Sequence, residues 1–369
     1  MWRWSIRSRC GWVLAALLLS PHPHASAQAP ERPTAATTAP SAAAMAEYRR
    51  KLEEYTAARR KYEAEADAYW RSVSDKRRLR HAKLRNNQEI LLSDYVLTQP
   101  PVYVGPPRPV DPSALIEEAP PRKYVPVVAD FLRAAAKEFN FVPQQPRNEI
   151  EYKRAYVKVA AAAGLTKEQV VRIYAFESGG DGKYDVQAGL EQPKPGARAI
   201  STALGYNQLL ATNSVELLAE KGDQFIKILS AKAAGLPEEA KKTLQKKFAV
   251  LKNMIAFCRS VPDSWSEHDR LAKTPKGLAV HALNLDMDIG PLLQTQKLLD
   301  SVVFARAQGY GAILSAAELE MMNLTGDGNG LDILRMPPAW RERVPTSNFF
   351  QPGGMSAIRL PAAAASSRS

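Results

Sequence analysis

Glu177 is the residue of this sequence best placed to do chemistry. It closes a segment in which Val170, Tyr174 and Glu177 fall at i, i+4 and i+7, one face of an α-helix. Gly179-Gly180 breaks the chain immediately afterwards. Thr166 with Gln169 three residues on is a capping-box pattern that opens the helix, and Gly164 is placed to close the preceding one. Val171 and Phe176 are expected to widen the apolar surface, so the spacing predicts an inward-facing carboxyl at a helix C-terminus. Burial disfavours its anion, and the negative end of the helix dipole disfavours it further. Both effects raise the pKa, which is what a general acid at neutral pH requires. The alternative is a glutamate satisfied structurally by neighbouring backbone or an arginine. Asp181 and Asp185 follow four and eight residues later. Facing the site, either would hold a water and favour hydrolysis; facing solvent, they are loop acids. Tyr184 suits stacking on a sugar or an ordinary surface position.

Other chemistries find less support. The histidines (22, 24, 81, 268 and 281) do not form ligand spacings, so no metal and no cofactor is expected. Cys258 reads as a buried small hydrophobe, and no internal disulfide is expected once Cys10 leaves with the N-terminal segment. Asn323-Leu324-Thr325-Gly326-Asp327-Gly328-Asn329-Gly330 invites comparison with a calcium loop, but Leu334 stands where the bidentate glutamate is needed. A tight turn after a helix over 315–323 is the better account, with Arg335 and Met336-Pro337-Pro338 ending the domain.

The elements that must position Glu177 read as mainly α. From about Tyr124 the pattern predicts helices over 127–139, 150–163, 167–178, 207–221, 237–259, 288–307 and 315–323. The expected organisation is a signal peptide over 1–27, an Ala/Pro/Thr-rich linker over 28–46, a charged helix and proline-rich strap over 47–120, a principal domain over 121–345, and a tail over 346–369 that is disordered at its end. In the charged helix, Tyr48, Leu52, Tyr55, Tyr62, Ala66, Tyr69 and Val73 form a heptad-like stripe that Arg59 interrupts. This favours a helix docked on its own domain over a coiled-coil dimer, so a monomer is expected. The strap from Gln99 to Pro112 is read as pinned to its own domain by Tyr95 and Tyr103. The run Lys76-Arg77-Arg78-Leu79-Arg80 is read as a solvated face, with contact to anionic headgroups as the alternative.

Composition places the chain in a compartment. Its 369 residues are 45% hydrophobic and 24% charged, near globular averages, and a mean hydropathy of -0.30 excludes a multi-span membrane protein. Arg3, Arg7 and Arg9, the apolar stretch Gly11–Ser20 and Ala25-Ser26-Ala27 form a Sec-type signal pattern. Losing those three arginines lowers the formal net charge from +12 to +9. Export to the periplasm makes nucleic acid an unsuitable partner and favours cell-wall polymer, membrane headgroups or envelope proteins, the latter two through the N-terminal helix.

The site motifs resemble those of the soluble lytic transglycosylase family, which has a lysozyme-like fold. Glu177-Ser178-Gly179 looks like its catalytic Glu-Ser pair, and Gly205-Tyr206-Asn207-Gln208-Leu209 resembles its Gly-Leu-Met-Gln segment. Met322-Asn323-Leu324-Thr325-Gly326 is loosely similar to its Ala-Tyr-Asn-Ala-Gly segment, with Met322 at the tyrosine position, and Asp288-Ile289-Gly290 loosely matches its Asn-Ile-x-x-Gly region. The resemblance covers about residues 145–335, with residues 219–280 as a long insertion. It implies an exported lyase that cleaves the bond between N-acetylmuramic acid and N-acetylglucosamine in peptidoglycan glycan strands, leaving a 1,6-anhydro end. It also implies Glu177 as acid and then base, Ser178 orienting it, and Tyr206, Gln208 and Asn323 lining the sugar cleft. A non-catalytic wall-binding or scaffold protein and a hydrolytic muramidase are the alternatives.

Overall fold

The computed structural model describes residues 40–113, 123–179, 182–192 and 194–350. The signal-peptide, Cys10, Asp181 and disordered-tail expectations lie outside the described residues, as does the linker before residue 40. In chain order the helices are α1 (Ala42–Arg85), α2 (Val128–Phe139), α3 (Glu149–Ala162), α4 (Lys167–Glu177), α5 (Ala211–Ala234), α6 (Glu238–Cys258), α7 (Trp265–Ala272), α8 (Pro275–His281), α9 (Gly290–Ala307), α10 (Ala316–Thr325), α11 (Asp327–Arg335) and α12 (Pro338–Arg341). Among the described residues there is no named β-strand, only isolated bridges pairing Leu204 with Gln187 and with Leu209. No described helix is long and apolar enough to cross a membrane. The mainly α expectation therefore holds, while α7 and α8 were not foreseen by periodicity.

Two compact units form, one from Lys123–Asn323 and the other from residues at both chain ends. In the first, α2 packs on α8, α5 on α6 and α7, and α3 on α9. The stretch 219–280, expected to be an insertion, instead supplies much of the core: Phe225, Leu229, Leu244, Leu251, Met254, Cys258, Leu271 and Val280 are all buried in one cluster with Phe131, Leu218 and Leu293. Gly222 explains how closely α5 and α6 approach. A Cβ there would sit 2.4 Å from Ile255 Cγ1, so any side chain would force the helices apart. Cys258 is buried in this core, and burial pushes its thiol pKa up, which suits an inert packing residue.

A buried ion cluster ties α6 to the entry of α9. Lys247 Nζ contacts the Asp286 oxygens at 3.0 and 2.9 Å and Asp288 Oδ2 at 2.6 Å. Asp286 also accepts from the backbone of Gln144 at 2.8 Å and of Asp288 at 3.0 Å. The resemblance placed a motif at Asp288-Ile289-Gly290; here that segment is the start of a helix clamped by charge.

In the unit built from the chain ends, α1 begins at Ala42, so the expected linker yields its last residues to helix. Tyr55 and Tyr62 meet Tyr103 of the strap at 6.2 and 5.5 Å between ring centroids, and the Arg59 guanidinium lies over Tyr62 and Tyr103. Arg59 thus belongs to the aromatic stripe it was expected to interrupt. Tyr95 packs with Met336, Val344 and Phe349. The domain boundary accordingly falls at Asn323, not 345: α11, α12 and the turn Thr346–Phe349 belong with α1. Gly326, at φ +83°, separates α10 from α11, so the glycine-rich segment is a helix break followed by a new helix.

The basic run is largely internal to this unit. Lys76 Nζ donates to the Ser93 and Tyr95 carbonyls at 2.5 and 2.9 Å, and Arg77 Nη2 donates to those of Asn348 and Phe350 at 2.9 and 2.8 Å. Arg80 is buried, donates to Asp94 O at 2.9 Å and lies over the Tyr95 ring at 4.3 Å. These positions face carbonyls rather than solvent, which corrects the solvated-face reading for three of the four basic residues. Arg78 remains exposed beside Asp75.

Removing one partner of a buried ion cluster leaves an uncompensated charge. Lys247→Met should therefore cost about 3–5 kcal/mol of stability, measured by urea denaturation. Lys247→Met combined with Asp286→Asn should recover part of that loss; an unchanged midpoint for the single variant would contradict the structural role.

Candidate active site

The local sequence fixes the helix that carries Glu177. α3 closes with Leu165 N donating to Ala160 O and Gly164 N to Ala161 O, both at 3.0 Å. The capping box then forms as expected: Thr166 N donates to Gln169 Oε1 at 2.8 Å, and Gln169 N donates to Thr166 Oγ1 at 3.2 Å. Gln169 Nε2 donates in turn to Leu314 O at 2.7 Å, which fixes the start of α4 against the segment leading into α10. Val170 and Ile173 are buried, whereas Val171 and Phe176 are exposed, so they do not widen the inward face.

Glu177 is the last residue of α4, and its side chain keeps only 8% of its exposure. Asn323 Nδ2 donates to Glu177 Oε1 at 2.6 Å, so the first and third sequence motifs do come together. Lys297 Nζ, from α9, stands 3.9 Å from the same oxygen and donates to Asn207 O at 2.6 Å. Glu320 lies three residues before Asn323 on α10, near enough to Glu177 for the two carboxyls to act on each other electrostatically. Both Glu320 oxygens are buried and have no hydrogen-bond partner.

The electrostatics follow from this crowding. Burial raises the Glu177 carboxyl above its usual range, while the Lys297 charge, Glu320 and the Asn323 bond pull it back. Burial raises Glu320 further, to about 8, and the neighbouring Glu177 charge acts in the same direction.

The remaining residues expected at the site have other partners. Ser178 is fully buried; its hydroxyl donates to Tyr174 O and accepts from Gly182 N at 3.2 Å, so it caps α4 and makes no bond to Glu177. Tyr206 is also fully buried. Its ring sits among Tyr152, Tyr156 and Tyr174 at 5.0–5.3 Å between centroids, and its hydroxyl bonds Glu149. Gln208 adopts φ +43° and donates from Nε2 to Gly205 O at 2.8 Å and Val186 O at 3.1 Å. Tyr206 and Gln208 therefore build the turn instead of lining a cleft. Tyr184 stacks on Tyr152 at 4.8 Å, and Asp185 is exposed.

That turn nonetheless serves the site indirectly. Gln294 of α9 accepts from Asn207 N at 2.7 Å and donates to Leu204 O at 3.1 Å. A Cβ on Gly205 (φ +81°) would lie 2.6 Å from Gln294 Nε2. Only glycine admits this approach, which places Asn207 O under Lys297. Motif and face spacing single out neither Lys297 nor Glu320. The signal that could find them is pairing: Gln294 with Lys297, and Glu320 with Asn323, each fall at i, i+3 on helices that periodicity had located.

Among the described residues no group of His, Cys, Asp and Glu side chains is arranged to hold a metal ion. Comparison with known proteins adds no relative: no family model, no curated protein and no solved structure matches the chain.

The sign of the pH dependence follows from the carboxyl pair. The Glu320 carboxyl, raised from 4.5 to about 8, binds its proton more tightly in the folded state, so its contribution to stability is greatest below about pH 4.5 and is lost as pH rises through 8. Wild type should lose on the order of a few kcal/mol across that interval beyond what Glu320→Gln loses. Urea midpoints of both proteins at pH 5 and pH 9 check this; parallel losses would contradict it.

Proposed function

We propose that the chain is an exported peptidoglycan lytic transglycosylase on a lysozyme-like helical unit, with Glu177 as its single acid and base. The observation that carries this reading is a desolvated carboxyl at the C-terminus of α4, bonded by Asn323 and retaining a small exposed edge. Burial favours the protonated form of such a group, and the exposed edge lets it reach a glycosidic oxygen.

The reaction balances without water. Glu177 donates its proton to the oxygen bridging C1 of N-acetylmuramic acid and C4 of N-acetylglucosamine, and the C1–O bond breaks. The resulting Glu177 carboxylate takes the proton of the muramoyl C6 hydroxyl as O6 bonds to C1. Products are a free N-acetylglucosamine C4 hydroxyl and a 1,6-anhydromuramoyl end, with Glu177 protonated again. Asn323, bonding Glu177 Oε1, orients the group, and Lys297 offsets the charge that develops on it.

A second reading, a wall-binding protein without activity, draws on the burial of Tyr206 and Gln208, which removes two residues expected to hold sugar.

Purified peptidoglycan digested by the chain should release anhydro-muropeptides detectable by mass spectrometry, and Glu177→Gln should lower that release about 100-fold or more. Reducing-end muropeptides would mean hydrolysis. Retention on sacculi without cleavage would establish the wall-binding reading.

A further inference from the structure

We infer that a cavity at the entry of α4 binds the C-terminal alanine of a wall stem peptide, with the methyl group inside and the carboxylate on Arg306. The choice of peptide rests on the peptidoglycan reading above; the cavity and its chemistry do not.

Size and lining set that chemistry. The cavity measures about 50 Å3 and opens between the start of α4, the last turns of α9 and the segment leading into α10. Val302, Ala305 and Leu314 are buried in its apolar wall, and the exposed Ile313 stands beside them. A dry cavity of about 150 Å3 takes a benzene ring. One about a third as large takes a methyl or ethyl group and excludes an aromatic side chain.

One charge in the lining is left over. Thr166 and Gln169 are bonded to each other in the capping box, and Gln169 also holds Leu314 O. Tyr310 donates its hydroxyl to Glu318 at 3.2 Å, and Glu318 also accepts from Ser315 N at 2.9 Å. Arg306 has no hydrogen-bond or ion-pair partner among the described residues. A guanidinium beside a methyl-sized pocket recognises a small side chain with a carboxylate next to it. Within a peptide only the last residue offers that pair, since an internal alanine carries an amide there.

The distance to Glu177 fits a stem peptide. The 11 residues of α4 that separate the cavity from Glu177 rise about 16 Å. An extended chain of about five residues spans about 17 Å. The stem hangs from the muramic acid whose C1–O bond Glu177 breaks, so its far end reaches the cavity. Between the two points α4 leaves Val171, Ala175 and Phe176 exposed, an apolar side for the intervening residues.

The test uses the full chain and a synthetic stem pentapeptide ending in alanine, prepared as the free acid and as the C-terminal amide. In methyl NMR the acid should shift Val302, Ile313 and Leu314, and the amide should bind about tenfold or more weakly. Arg306→Gln, a change at an exposed position, should keep the wild-type urea midpoint and bind acid and amide alike. Ala305→Leu should fill the cavity and abolish the shifts. Unshifted methyls, or equal affinity of wild type for acid and amide, would overturn the proposal. The second arm compares intact sacculi with glycan strands stripped of their peptides. Arg306→Gln should slow the release of anhydro ends from sacculi and leave the rate on stripped strands unchanged; equal slowing on both would overturn the stem-peptide role. Selective binding of the acid with no cleavage of either substrate would uphold the peptide site and remove the transglycosylase reading.

Discussion

A charge that has been taken out of water must find its partners inside the fold, and the unit Lys123–Asn323 is arranged around one such charge. Glu177 ends α4 with little exposure, so each neighbouring element contributes a group that answers it. α10 brings Asn323 and Glu320, and α9 brings Lys297. Lys297 is itself held by Asn207 O, at a turn locked by Gln294, whose side chain needs the bare face of Gly205. Shifting α9 by one residue would move both Gln294 and Lys297 off their partners at once. The register of the helices and the polarity of the site are thus one constraint.

The same economy of polar groups appears away from the site. Ser214 Oγ contacts His281 Nδ1 at 2.8 Å, and the opposite ring nitrogen contacts Thr202 O at 2.7 Å. A carbonyl only accepts, so Nε2 carries the hydrogen and Nδ1 accepts from Ser214. Burial holds this imidazole down at about 4, which keeps it neutral and fixes that tautomer. The pair resembles a nucleophile and its base only in composition; Asn284 Nδ2 also bonds Ser214 Oγ at 2.9 Å, and the whole group is buried in the core. It serves to satisfy polar atoms between α5 and α8.

Much of the architecture was legible because helical periodicity survives tertiary packing. Six of the seven helices expected from 127 onward and the charged N-terminal helix lie close to where spacing put them, the one expected over 207–221 runs instead over Ala211–Ala234, and the capping box at Thr166 forms bond for bond. Glu177 was legible for the same reason: a face can be read from i, i+4 and i+7. What a face meets cannot be read that way. Tyr206 looked like a sugar contact because an aromatic beside a turn suits one, yet three tyrosines surround it. The run from Lys76 to Arg80 looked solvated because charge usually is, yet its acceptors are carbonyls more than 250 residues away in part. The 219–280 stretch looked additional because a resemblance measures familiarity, not burial. Glu320 was silent because a glutamate on a helix is ordinary until another carboxyl faces it.

Asn348 ties the segment around Thr346–Phe349 to α1 and the stretch after it. Its amide accepts from Val96 N at 2.9 Å and donates to Val96 O at 2.8 Å, while its carbonyl receives Arg77 and Arg80. Such a clasp sets an order of events during synthesis. The Lys123–Asn323 unit has its whole sequence once residue 323 is made, whereas α1, made earlier, waits for the segment around Asn348 before Arg77 and Arg80 meet their carbonyls.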